Sequence, residues 1–175
     1  MPFRDFDADR QEVSTLVAKR GNLEVRLMTW QDLSEFEELR DTNREWLAEW
    51  VVDNAVKKNT GALSFAVTLD EAPVGELTLW NVDRSHTLTS PSLSYWVDRA
   101  HARRGIMKFA AWAVLDHAIN KLNLGTILVP IAHENTASIA LAESLRLRRL
   151  GEADYEGAHS RHVVYVAERG PDANL

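Results

Sequence analysis

The stretch on which the reading of this chain turns is Tyr95-Trp96-Val97-Asp98-Arg99-Ala100-His101-Ala102-Arg103-Arg104-Gly105-Ile106-Met107. A strand runs into a short basic loop, and the loop opens a helix near Gly105. Helix N-termini present unpaired backbone N–H groups and the positive end of the helix dipole, a combination that suits phosphate. Gly105 lets a pyrophosphate approach the backbone, and Arg99, Arg103 and Arg104 add charge. The same residues also suit a capped helix with solvated arginines, and one glycine does not choose between the two. The loop lacks Gly-x-x-x-x-Gly-Lys-Ser/Thr and Gly-x-Gly-x-x-Gly, which disfavours an ordinary P-loop or Rossmann dinucleotide site.

On the C-terminal side, Met107, Ala111, Val114, Leu115, Ala118 and Leu122 mark one face of a helix from Arg104 to Leu122. Gly125 suits the left-handed position just past its end. A short apolar strand from Thr126 to Ile131 follows, then a helix from Thr136 to Arg146 capped by Asn135. Gly151 and Gly157 punctuate the tail, and His162 to Ala167 reads as a last strand.

On the N-terminal side, Leu23 to Leu27 alternates apolar and polar, the mark of a half-buried strand. Thr29 or Asp32 caps a helix carrying Leu33, Phe36 and Leu39. A second helix from Asn43 carries Trp46, Leu47 and Trp50 on one side. Ala62 to Leu69 and Pro73 to Val82 form a hairpin about Asp70-Glu71-Ala72, and Thr87 to Val97 adds a third strand. Residues 1 to about 20 read as a polar, loose lead-in, with Val13 to Val17 as an alternative extension of the first strand. The order is strand, two helices, three strands, helix, strand, helix and two strands, in one domain over residues 1–175.

The chain has 175 residues, 45% hydrophobic and 26% charged, an ordinary globular composition. Its net charge of -6 gives no general pull toward nucleic acid. The absence of cysteine removes disulfides, thiolate zinc sites and a cysteine nucleophile. His101, His117, His133, His159 and His162 show no metal spacing, so no metal is expected. The start lacks a signal-peptide pattern and no apolar stretch reaches membrane-spanning length, which reads as cytoplasmic with no membrane partner.

The loop resembles the pyrophosphate motif of the Gcn5-related N-acetyltransferases, Arg/Gln-x-x-Gly-x-Gly/Ala, in Ala102-Arg103-Arg104-Gly105-Ile106-Met107. Tyr95-Trp96-Val97, Gly105-Ile106-Met107, Asn135-Thr136-Ala137-Ser138, Asn43-Arg44 with Trp50, and Gly157 with His162-Val163-Val164-Tyr165 resemble the Rim-type enzymes that acetylate ribosomal-protein N-termini. The resemblance runs from Leu23 to Val166. It implies an α/β fold of α+β type, with a mixed sheet whose central pair of strands is splayed. It further implies acetyl-CoA as co-substrate, an amine acceptor such as a ribosomal-protein N-terminus, and a monomer or homodimer. Ala102 and Met107 depart from the motif's ends. Ser94 stands where glycine is common, Lys108-Phe109 where threonine-glutamate is, and Leu145-Arg146-Leu147 where Leu-Gly-Phe is. His159, Ser160 and Arg161 replace a usual Trp-Arg-Asp.

The resemblance implies coenzyme contacts from Tyr95, Trp96, Val97, Arg103, Arg104, Gly105, Ile106, Met107, Asn135 and Ser138. Backbone N–H groups near Tyr95 to Val97 would polarise the thioester carbonyl, Ser138 would donate to the departing thiolate, and Asn135 would orient the coenzyme arm. Taken alone, Asn135 and Ser138 also read as a capped helix with a surface serine. Pro130 fits a strand splay independently, because proline is excluded from fully paired central strands. A plain bulge fits it equally. Glu76, Glu45 and Glu134 are candidate bases that also read as solvated carboxylates, and Glu76 joins Ser138 and Asn135 as a catalytic candidate. Direct transfer to a protein α-amine is expected. A small-molecule amine acetyltransferase and a catalytically silent binding protein are the alternatives.

Overall fold

The computed structural model describes residues 15–47, 61–82, 90–154 and 161–169. Along these the chain forms β1 (Leu16–Arg20), β2 (Leu23–Leu27), α1 (Leu33–Thr42), α2 (Arg44–Leu47), β3 (Leu63–Leu69), β4 (Ala72–Trp80) and β5 (Ser92–Val97). It continues through α3 (Ile106–Asn120), β6 (Thr126–Ala132), α4 (Thr136–Ser144), β7 (Arg148–Ala153) and β8 (His162–Glu168). All eight strands lie in one mixed sheet of order β1-β2-β3-β4-β5-β6-β8-β7, as the α/β expectation required.

The loose lead-in needs correction. Leu16–Arg20 is a strand in its own right, paired antiparallel with β2 around Gly21-Asn22. Its mostly exposed residues hid it, because an edge strand has little need of a regular apolar face. Val13 and residues before it lie outside the described residues. The hairpin of β3 and β4 turns on Asp70 and Glu71 alone, both with positive φ (50° and 68°). That two-residue turn matches the right-handed twist of its strands.

The two faces of the sheet are covered differently. Leu77, Leu79 and Leu93 point to α3, where they join Met107, Ala111, Val114, Leu115 and Ala118 in the core. Gly75 lies on that face beneath the helix start: a Cβ there would come within 2.6 Å of Trp96 O and 3.2 Å of Met107 Cε. α1 crosses the opposite face of β4, and the Arg40 guanidinium there pairs with Glu76. Thr29 and Asp32 share the helix start that the sequence left open between them. Thr29 N–H donates to Asp32 Oδ2 at 2.6 Å, while Asp32 is the first residue before α1. Arg26 grips the same carboxylate at 2.5 and 2.8 Å, and chiefly that bond holds the Asp32 pKa at about 2.

Smaller differences are physical. Leu47 is buried while Trp46 is exposed, so the two do not share a side; Trp50 lies outside the described residues. Gly125 is left-handed (φ 76°) but shapes the entry to β6; Asn123, at φ 55°, lies nearer the end of α3. Residues 83–89, including the start expected for the third strand, lie outside the described residues.

Candidate active site

β5 and β6 are parallel neighbours held by a single bridge, Ser92 to Leu128, where Leu128 N–H donates to Pro91 O at 2.9 Å. Every other neighbouring pair in the sheet is joined at four or more positions. Because the bridge lies at the start of β5, the two strands part toward the ends from which α3 and α4 begin. Backbone groups alternate in direction along a strand, so Leu93, Tyr95 and Val97 aim N–H and C=O at the gap, as Pro91 does. By the same alternation Pro130 faces the gap from β6. The proline sits where no donor is needed, as the splay expectation placed it, and β6 pairs with β8 in unbroken register.

Two helices start at this end of the sheet. α4 is capped: Asn135 Oδ1 accepts Ser138 N–H at 3.1 Å. Tyr95 reaches across the gap to donate its hydroxyl to Ser138 O at 3.4 Å, so Tyr95, Asn135 and Ser138 come together. Burial pushes the Tyr95 phenol up to about 12, which keeps it a proton donor at neutral pH. α3 has no side-chain cap; its first flanking residue is Gly105, left-handed at φ 73°, with open space around the position of a Cβ. Arg103 is also left-handed (φ 63°), and Arg103 and Arg104 are exposed. Ile106 and Met107 turn their side chains into the core, and their backbone remains at the helix start.

The loop before α3 is anchored from behind by residues that the sequence analysis named without foreseeing that they meet. Asn43 is buried, donates to Leu39 O (2.9 Å) and Asp98 Oδ1 (3.0 Å), and accepts Arg99 N–H (2.9 Å). His101 Nδ1 donates to Asp98 Oδ2 at 2.7 Å. Burial opposes ionisation of Asp98, but hydrogen bonds from His101, Asn43 and the Ala100 backbone outweigh it and hold the carboxyl below its ordinary value. The spacing of Asp98 and His101 was the one available clue; Asn43 is too distant in sequence to be seen.

Glu76 stands apart from Ser138 on the opposite face. It is buried rather than solvated: Arg40 and Trp96 Nε1 (3.1 Å) share Oε2, and Thr78 Oγ1 donates to Oε1 at 3.3 Å. The Trp96 indole thus lies on the α1 face, and only its backbone borders the strand pair. Ser94 lies there too, accepting Trp80 Nε1 at 2.7 Å, which removes it from the coenzyme side of β5. Glu45 and Glu134 are exposed. Among the described residues no group of His, Asp and Glu could hold a metal ion, and no helix is long and apolar enough to cross a membrane.

Two clefts flank the loop. One, of about 500 Å³, is lined by Arg20, Arg104, Gly105, Lys108, Phe109, Trp112 and Ser144 to Arg146. The other, of about 840 Å³, lies on the α1–α2 side between Asp41 to Trp46 and Asp98 to Ala100.

A family model described as an acetyltransferase (GNAT) domain matches residues 3–148. The chain belongs to the GNAT acetyltransferases. As such it is an acetyl-CoA-dependent N-acetyltransferase, and the uncapped α3 start with its open Gly105 and unpaired arginines suits the coenzyme's pyrophosphate. No curated protein sequence matches it. Among solved structures the GNAT fold recurs in the Ribosomal-protein-S5-alanine Acetyltransferase from Vibrio fischeri, 21% identical with a TM-score of 0.75, over 90% of this chain and 97% of that one. RimL, a ribosomal L7/L12 α-N-protein acetyltransferase in complex with coenzyme A, is 16% identical with a TM-score of 0.74, over 87% and 97%. RimJ of Mycobacterium smegmatis, in complex with CoA-disulfide, is 22% identical with a TM-score of 0.71, over 89% and 85%.

Proposed function

We propose that this protein moves the acetyl group of acetyl-CoA directly onto the N-terminal α-amine of a protein, of the ribosomal-protein type. The observation that carries this reading is the single-bridge gap between β5 and β6, opening on the uncapped start of α3. The pyrophosphate rests on the backbone of Gly105 to Met107 with Arg103 and Arg104 beside it. The thioester lies in the gap, its carbonyl oxygen toward the N–H groups of Tyr95 and Val97. The amine nitrogen attacks the carbonyl carbon from the α1–α2 side, the C–S bond breaks, and the sulfur leaves as thiol. Ser138 donates toward that sulfur, Asn135 orders the first turn of α4 around it, and the Tyr95 hydroxyl holds the same turn.

Two considerations support an α-amine acceptor. Two of the fold neighbours are named for ribosomal-protein or α-N-protein acetylation. In addition, Glu76 has both oxygens engaged, which leaves it a positioning residue for Trp96 and Arg40 rather than a free base. An α-amine with a pKa of about 7.7–8.0 is partly neutral without such a base, whereas lysine at about 10.4 is not. Thiol release is the test, with a peptide bearing a free N-terminal alanine, the same peptide N-blocked but carrying lysine, and a polyamine. The free peptide should react fastest, at a rate rising with pH through the amine's pKa. Preference for the polyamine would establish a small-molecule enzyme, and no turnover with any acceptor a silent binder. An acetylated enzyme by intact mass, passed on to acceptor, would overturn direct transfer.

A further inference from the structure

Past the single bridge at Ser92, β5 has a strand neighbour on one side only. Its free edge, Tyr95-Trp96-Val97, pairs with Leu77, Glu76 and Gly75 of β4 and with no strand across the gap. A strand held on one side opens more readily than one held on both, so the place of this edge depends on what grips it from β4.

Two consecutive β4 residues supply that grip, from opposite faces of the sheet. On the α3 face, Gly75 lets the strands close: a Cβ there would stand 2.6 Å from Trp96 O and 3.2 Å from Val97 Cα. The ladder runs on past the end of β5, where Asp98 N–H donates to Val74 O at 2.8 Å. On the α1 face, Glu76 accepts the Trp96 indole N–H at 3.1 Å on the same oxygen that pairs with Arg40. The Arg40 guanidinium in turn lies 5.7 Å from the centre of the Trp96 ring. Thr78 Oγ1 donates to the other carboxylate oxygen. Burying a carboxylate is costly unless it is paired, and this one spends its bonds on fixing an indole and a guanidinium.

We propose that Arg40, Glu76 and Trp96 form a brace that holds the oxyanion donors of β5 in line with the thioester carbonyl. Glu76 and Arg40 are positioning residues, and both act through the Trp96 indole on the backbone at either side of it. This rests on the reading above only in placing the thioester in the gap, whichever amine is the acceptor. The N–H groups of Tyr95 and Val97 flank Trp96, and a hydrogen bond to a developing oxyanion weakens steeply when its donor is displaced or misaligned. Arg40 belongs to α1, so the helix on the side from which the amine attacks is tied by the same ion pair to the edge that polarises the carbonyl.

The test compares kcat with calorimetric acetyl-CoA affinity across variants, using the amine that wild type acetylates fastest. Trp96→Phe keeps a ring and removes the N–H, so kcat should fall about tenfold while acetyl-CoA affinity stays within about twofold. Glu76→Ala should lower kcat about thirtyfold, and adding Trp96→Phe to it should cost little more, because the bond is already gone. Glu76→Gln should recover kcat to within about threefold of wild type: its carbonyl oxygen accepts from Trp96 and Arg40, and its amide donates to Thr78. Trp96→Phe and Glu76→Gln change little volume, so the outcome does not hang on the alanine variant folding. A general base at Glu76 predicts the reverse, with Gln as damaging as Ala and Trp96→Phe close to wild type, and that result would overturn the brace. So would additive losses in the double variant, or a raised KM with an unaltered kcat. Normal wild-type turnover with unaffected variants would overturn the brace alone. A wild type that acetylates no amine would overturn the placement of the thioester and the brace with it.

Discussion

The two junctions where a strand of the gap passes into a helix solve one problem in opposite ways. β6 enters α4 through His133-Glu134-Asn135, and Asn135 turns its side chain back to occupy the N–H of Ser138. β5 enters α3 through a longer basic loop that ends on a left-handed glycine and supplies no capping side chain. A cap is worth about 1 kcal/mol to a helix, and at α3 the first N–H groups have no capping side chain and are left to water or a ligand. The loop that omits its cap is held elsewhere, by Asn43, Asp98 and His101. α4 is finished by its own sequence, whereas α3 leaves its first turn open.

Filling the open start should have the largest effect. Gly105→Asp places a carboxylate where the phosphate would lie, in space that a Cβ can enter and at a φ that Asp tolerates. Coenzyme affinity by calorimetry should fall about a hundredfold or more, with the fold retained by circular dichroism. Next comes the anchor. Asp98→Ala leaves the buried Asn43 amide short of an acceptor and should lower stability by about 1–3 kcal/mol in urea. Because the Asp98 pKa is lowered by folding, its contribution is complete above the ordinary value of 3.8 and fades as pH falls through the lower folded one. The gap between wild type and Asp98→Ala should therefore close in strong acid.

Ser138→Ala should leave acetyl-CoA affinity nearly unchanged and lower kcat about tenfold, because a bond to departing sulfur matters in the transition state. A raised KM with an unaltered kcat would make Ser138 a binding residue instead. The smallest effect belongs to the capped junction. Asn135→Ala should cost about 1 kcal/mol of stability, and Asn135→Ser or Asp should restore most of it. A loss of coenzyme binding as large as that of Gly105→Asp would erase the distinction between the two helix starts.

Much of this contrast was legible in the sequence, since it is made of neighbours in the chain. Asn135 before a helical run, Gly105 after a basic loop and Pro130 inside an apolar strand each announce themselves within a few residues. What stayed hidden was assembled across distance. Asn43 meets Asp98, Arg20 stacks on Phe109, and Arg40 reaches Glu76, in each case from elements that only the sheet order brings together. Glu76 misled because its strand neighbours gave no sign that its own face of the sheet was covered by α1. β1 was missed because its residues are mostly exposed and its pairing with β2 carries no periodic mark of its own.

Pro130 has a consequence for the molecule at rest. A sheet parted in its middle owns two interior borders, each a template onto which a strand can be added. The nearest candidate is the opposite border itself: β5 and β6 run parallel and already share one rung, so further rungs would zip them shut. Pro130 follows Leu128 as the next residue whose backbone faces the gap, and it brings no N–H to that second rung. Closure would leave an acceptor on β5 unanswered, and a foreign strand entering the gap would find the same missing donor. One imino acid thus works as a wedge and as a guard, keeping the sheet from healing along its seam and from recruiting another chain to heal it.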